Sequence, residues 1–155
     1  MRKKQAGHRP VTPDPKYNDV IVAEFINCVM KQGKKHLARR IVYDALNLIE
    51  QRTKNPGIEV FKKAMNNTRP VLEVRARRVG GATYQVPTEV RQDRSVALAI
   101  RWLISYSSAR KDKSMSEKLA AEFIAASNGE GSAIKKKEDV HKMAEANKAF
   151  AHFKW

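Results

Sequence analysis

Apolar residues return every three to four positions along most of this chain, and only between Val71 and Val90 does the interval fall to two. A 3.6-residue period buries one stripe of a helix, whereas a period of two buries one face of a strand. The chain therefore reads as a helical protein with one hairpin set into it. Ile21, Val22, Phe25, Ile26, Val29 and Met30 form the first stripe, between an N-cap expected at Asn18 and a stop at Gly33. Leu37, Ala38, Ile41, Val42, Ala45, Leu48 and Ile49 form the second, broken by Asn55-Pro56-Gly57. A shorter third carries Ile58, Phe61, Ala64 and Met65 and closes before Pro70. After Asp93 the helical period resumes with Val96, Ala97, Ile100, Leu103 and Ile104, ending near Arg110. Ser114 and Glu117 have capping-box spacing and open a fifth helix with Leu119, Ala120, Phe123 and Ile124, ended by Asn128-Gly129. A last helix with a thin apolar stripe is expected from about residue 133 to about 149.

The expected fold is mainly α: six helices, with a protruding two-stranded β-hairpin arm at about 71–90 between the third and fourth. Residues 19–155 make one helical domain, and residues 1–18 make a flexible basic arm in which Pro10, Pro13 and Pro15 oppose helix formation. In the hairpin, Leu72, Val74 and Ala76 alternate with Glu73, Arg75 and Arg77. A two-residue Gly80-Gly81 turn would pair 79 with 82 and put Tyr84 and Val86 on the arginine face. A loop with an odd residue count keeps Tyr84, Val86 and Val90 beside Leu72 and Val74, and that apolar match favours the odd loop. Pro87 lacks a donor for a ladder, which suits an edge strand of a ribbon.

Charge sets the class of partner. Across 155 residues, 31 Lys and Arg stand against 16 Asp and Glu, a formal charge of +15. That excess calls for a polyanion. Catalytic patterns are not found. Gly33-Lys34-Lys35 has Cys28 where a phosphate-binding loop needs its first glycine and Lys35 where it needs Ser or Thr. Gly129-Glu130-Gly131 lacks a third glycine and joins two helices, so it reads as an interhelical turn. His8, His36, His141 and His152 have no ligand spacing, and the adjacent Glu138 and Asp139 point to different sides of a helix. Cys28, the one cysteine, excludes a disulfide framework and is expected as buried filler. No enzyme activity, cofactor, metal or small-molecule substrate is expected. The longest apolar stretch, 20–30, is interrupted by Glu24 and Asn27 and is far too short to span a membrane. The chain has no secretory pattern, and a cytoplasmic location fits best.

The cations are clustered. Lys31, Lys34, Lys35, Arg39 and Arg40 fall within ten residues that contain no acid. Arg69, Arg75, Arg77 and Arg78 follow the rising strand, near Gly80, Gly81 and Tyr84. Arg110, Lys111 and Lys113 mark one interhelical turn, Lys135, Lys136 and Lys137 begin the last helix, and Arg2, Lys3, Lys4 and Arg9 lie in the arm. Dispersed clusters of this kind suit several phosphate backbones meeting one protein. Helix-turn-helix, zinc-finger and basic-zipper patterns are not found, so folded RNA is the better partner. A DNA-compacting architectural protein is the alternative with the same surface chemistry. Phe150, His152, Phe153 and Trp155 crowd four rings into the last six residues. Such a cluster needs cover, either from the protein's own core or from RNA or a neighbouring protein.

Four stretches carry a family resemblance: Gly33-Lys34-Lys35 before its Ala/Leu-rich helix, Ala76-Arg-Arg-Val-Gly-Gly-Ala-Thr-Tyr-Gln-Val-Pro87, Ala97-Leu-Ala-Ile-Arg-Trp-Leu103 and Met143-Ala-Glu-Ala-Asn-Lys-Ala-Phe-Ala-His-Phe-Lys-Trp155. They resemble the bacterial form of the seventh protein family of the small ribosomal subunit, over essentially the whole chain. The resemblance implies a helical core with a β-ribbon and primary binding to the 3′ major domain of small-subunit rRNA. It further implies early organisation of the subunit head and a ribbon, here 75–84, lying at the exit site near tRNA and mRNA. The neighbouring small-subunit proteins it implies include the eleventh, and the aromatic end would then dock Phe150, Phe153 and Trp155 on RNA or a partner. Some members repress their own operon.

Overall fold

The computed structural model describes residues 10–153. Helices α1 (Val20–Val29), α2 (Lys35–Thr53) and α3 (Gly57–Thr68) precede strands β1 (Leu72–Val79) and β2 (Ala82–Glu89). Helices α4 (Gln92–Ser108), α5 (Met115–Ser127) and α6 (Ser132–Ala146) follow, then a short 3₁₀ segment, Lys148–Phe153. Arg2, Lys3, Lys4, Arg9, Lys154 and Trp155 lie outside the described residues.

The apolar stripes converge on one core. Phe25, Phe61 and Phe123 come from α1, α3 and α5, each 0–1% exposed, and all three pairs pack edge to face with ring centroids 5.2–5.5 Å apart. Edge-to-face contact sets the positive ring edge against the negative face, a gain beyond simple burial. Leu46, Ile49, Met65, Leu103 and Leu119 fill the space around the rings. At Gly57 a Cβ would stand 2.4 Å from the Leu46 carbonyl oxygen, so only glycine lets α3 start against α2.

Local signals place the helix ends with one shift. Ser114 Oγ accepts the Glu117 N–H, as the capping box requires. The cap of α1 is Asp19 rather than Asn18: its carboxylate accepts from Ile21 and Val22, while Asn18 sits at φ 48° in the preceding turn. Lys62 pairs with the same carboxylate at 2.8 Å. Burial pushes the Asp19 carboxyl up, but Lys62 and the two N–H donors together hold it below its usual value.

Residues 14–18, assigned by sequence to the arm, fold back on α2. Asp14 is buried and accepts hydrogen bonds from the backbone of Lys16 and Tyr17 and from the Tyr43 hydroxyl at 2.8–2.9 Å. Burial, then the Asp14 carboxylate, push the Tyr43 phenol up to about 12. Tyr17 packs edge-on against Tyr43 with centroids 5.7 Å apart.

The ribbon corrects the expected register. Val79 pairs with Ala82, and the ladder runs from there to Leu72 with Glu89. The loop is thus the two-residue Gly80-Gly81 turn, with φ of 56° and 89°. Two successive left-handed residues match the twist of the strands, and glycine adopts that conformation without a Cβ penalty. Tyr84 therefore faces Arg77, and Val86 faces Arg75. Turn chemistry prevailed because the α6 end and the 3₁₀ segment cover the arginine face, so Val86 and Glu73 are buried there. The face of Val74 and Ala76 stays partly open.

Two further expectations are corrected. Cys28 is exposed, because the α1 stripe that meets the core runs through Val22, Phe25 and Ile26 and turns residue 28 outward. The last helix stops at Ala146 rather than near 149: Asn147 caps it, and the chain tightens into the 3₁₀ segment.

Candidate nucleic-acid interface

The acid-free cluster surrounds the start of α2. Lys34 is the N-cap, with φ −76° and ψ 64°, and makes no side-chain capping bond. The first turn contains no acid, and Lys31, Lys34, Lys35, His36 and Arg40 are all exposed. A helix N-terminus carries about half a positive charge and open N–H groups, so cations there repel it in the free protein. A phosphate relieves both costs at once. Arg39 is only half-exposed, and its buried Nε has no partner in the fold.

The arginines of the ribbon divide by face. Arg78, on the open face, is exposed together with Gly80 and Gly81 at the tip. Arg75 is held by Glu73, whose carboxylate is 7% exposed and accepts Arg75 Nε at 2.6 Å and Arg94 Nε at 2.8 Å. Burial raises the Glu73 carboxyl, yet Arg94 and Arg75 outweigh it and hold the group below its usual value. Arg77 and Tyr84 sit half-buried opposite one another, with Tyr84 against Phe150. Arg69 is half-buried at the base of the ribbon, where Ser95 Oγ donates to the Pro70 carbonyl.

The remaining clusters are mixed in role. Lys111 and Lys113 are exposed in the α4–α5 turn, but Arg110 points inward and donates through Nε to Glu122 at 2.7 Å. Glu122 is 1% exposed and also accepts the Ala133 N–H at 3.0 Å. Arg110 thereby ties the end of α4 to α5 and the start of α6. Lys135 is exposed, Lys136 half-exposed, and Lys137 donates to the Asn67 carbonyl at 2.6 Å, fixing α6 on α3. The structure thus leaves Lys31, Lys34, Lys35, Arg40, Arg78, Lys111, Lys113 and Lys135 turned to solvent. It turns Arg75, Arg110 and Lys137 partly to internal bonds.

Sequence reasoning passed over Glu73, Glu122 and Arg94. Glu73 was not legible, because alternation sets it beside Arg75 and Arg77 but only α6 and the 3₁₀ segment cover that face. Glu122 sits four residues before Ala126 and three after Leu119, which puts a carboxylate on the core-facing side of α5. That spacing alone would have flagged a buried acid in need of a cation. Among the described residues no group of three or more His, Cys, Asp and Glu could hold a metal ion, and no helix is long and apolar enough to cross a membrane.

An uncapped cationic helix start, a basic ribbon with an open tip and cations spread over several junctions form the kind of surface that a nucleic-acid-binding protein presents to a phosphate backbone. Sequence comparison makes this specific. The chain belongs to the family described as ribosomal protein S7p/S5e, whose profile matches residues 1–148. It is 62% identical over 154 residues to the small ribosomal subunit protein uS7 of Gemmatimonas aurantiaca, covering 99% of each chain. Identity to the uS7 proteins of an Anaeromyxobacter strain and of Salinibacter ruber is 58% and 57%, again over 99% of each chain.

Proposed function

We propose that this protein is a structural constituent of the small ribosomal subunit in the cytoplasm. In this reading it binds the 3′ major domain of the rRNA as a primary binder, organises the subunit head and transforms nothing. The observation that carries the reading is the acid-free cluster of Lys31, Lys34, Lys35 and Arg40 around an uncapped helix start. Such a surface is stabilised only when phosphate arrives. The full-length likeness to small-subunit proteins supports the same conclusion.

The ribbon, led by Arg78, Gly80 and Gly81, reaches the exit-site tRNA and mRNA, and neighbouring small-subunit proteins including the eleventh flank it. Its open tip supports this role: a Cβ at either tip glycine would have no heavy atom within 4 Å, so a partner's backbone can approach closely. The terminal cations Arg2, Lys3, Lys4 and Arg9 add phosphate contacts, as do Lys111, Lys113, Lys135 and Lys136. Phe150, Phe153 and Trp155 dock on RNA or a neighbouring protein in this reading.

Binding titrations against the rRNA domain test the reading. If about six to ten phosphates are neutralised, affinity falls roughly 10³ to 10⁵-fold between 50 and 200 mM salt. The double variant Lys34→Ala, Lys35→Ala flattens the salt slope by about one to two units. Competition at fixed salt favours structured RNA over duplex DNA; equal competition supports a DNA-compacting protein, and salt-independent affinity removes the electrostatic account.

A further inference from the structure

A cavity of about 430 Å³ opens between the end of α1, the start of α2 and the α4–α5 junction, directly beside the lysine cluster. Its wall is aliphatic, from Val29, Leu37, Ile41, Ile104 and Met115. Its polar groups are Lys31, Lys34, Gln32 and Ser108, and no acid contributes. The neighbouring cavity along α1 and α4 shares Cys28 and Ile104 but includes Glu24 and Asp93, so the two differ in charge. Leu37 is the anomaly: a large aliphatic side chain left 51% exposed in the most cationic stretch of the protein. Water-facing leucine is unfavourable by its area, and lysines beside it repel one another. A ligand with an apolar face attached to an anion satisfies both features.

We propose that this cavity receives an unpaired nucleobase of the bound RNA, with Lys31 and Lys34 on its flanking phosphates. The inference rests on the RNA-binding reading above. A base brings a flat face for Leu37, Ile41 and Met115 and ring edges that can hydrogen-bond to Gln32 and Ser108. RNA readers take single-stranded bases out of the stack and hold them on aromatic or arginine planes; here aliphatic side chains and Met115 would take that place, while phosphate contacts position the chain and base contacts select it. A duplex with every base paired offers nothing to fill the cavity.

The test separates apolar docking from charge, using full-length protein and the isolated, protein-free rRNA domain. Leu37→Gln weakens binding by about tenfold with the salt slope unchanged, because apolar contact releases no counterions. Lys34→Ala lowers the slope by about one. Cys28 lines the cavity and serves as the reporter. Maleimide alkylation at pH 8.5 slows when the rRNA domain is bound, and protein alkylated beforehand binds more weakly at an unchanged slope. Melting of the free L37Q protein controls for folding, and the alkylated wild type gives the same readout should L37Q be unstable. Wild-type affinity for Leu37→Gln, or unprotected Cys28 in the complex, overturns the inference. So does protection that appears only in whole subunits, which would make the occupant a protein side chain. A wild-type protein with no salt-dependent rRNA affinity fails the RNA-binding reading itself, a separate result.

Discussion

The ring of Tyr84 on β2 lies against the ring of Phe150 in the 3₁₀ segment, centroids 5.2 Å apart and planes inclined at 51°. This contact joins the ribbon to the C-terminal end and answers part of the question that four terminal rings pose. One of them is covered by the protein's own hairpin rather than by its helical core. The face of Glu73, Arg77, Tyr84 and Val86 is therefore the covered one, although Arg75 on it stays exposed, and the outward face is that of Ala76 and Arg78.

Phe150→Ala removes the ring contact and leaves the helical core untouched. Aromatic pairs contribute about 0.5–1.5 kcal/mol beyond area. Amide exchange across 72–89 is expected to quicken while that of α2 and α5 stays unchanged. Equal exchange in the ribbon of both proteins would show that Tyr84 is held by other contacts.

Register rests on the turn. Gly80→Asn keeps a two-residue left-handed turn, since Asn-Gly adopts it readily, and stability is expected to hold within about 0.5 kcal/mol. With one glycine inserted between 80 and 81, a two-residue turn can be kept only by pairing 79 with 81 or 80 with 82, which moves either Tyr84 or Arg77 to the other face. Cross-strand contacts measured by NMR report this directly: the pair 79 with 82 persists in G80N and is lost in the insertion.

Glu122→Ala leaves Arg110 and the Ala133 N–H without their acceptor. Breaking a buried pair from one side costs about 3–5 kcal/mol. Glu122→Gln keeps an oxygen for Ala133 and is expected to lose less. Denaturant midpoints of the two variants check the order, and a silent E122A would mean that Arg110 finds solvent without penalty.

The base of the ribbon is pH-sensitive. His141 Nε2 accepts the Val71 N–H at 3.1 Å, which requires neutral imidazole. Burial, then the Lys137 charge, hold its pKa below 6.5. A depressed folded-state pKa contributes stability that is full above 6.5 and lost as pH falls through the folded value. Protection of the Val71 amide, corrected for intrinsic exchange, should fall as pH drops below 6.5 in wild type. In His141→Gln it should be constant over the same range.

Six helices, their order and the position of the hairpin were legible because the 3.6-residue stripes of Phe25, Phe61, Leu103 and Phe123 are dictated by burial of one face, a local property of sequence. The acid-free cluster at Lys31–Arg40 was legible for the same reason, since charge spacing along one segment needs no fold to be seen. Tertiary structure decided which faces were covered. Apolar matching within the ribbon pointed to an odd loop, but α6 (Ser132–Ala146) and the 3₁₀ segment (Lys148–Phe153), far along the chain, supply the buried environment for Val86 and Glu73. No local pattern contains that partner. Nor does it show that Arg110 is engaged by Glu122, that Cys28 faces outward beside Ile104, or that Asp14 anchors residues 14–18 on Tyr43. A side chain's charge belongs to its residue, but its availability to a partner depends on what the folded chain has already placed against it.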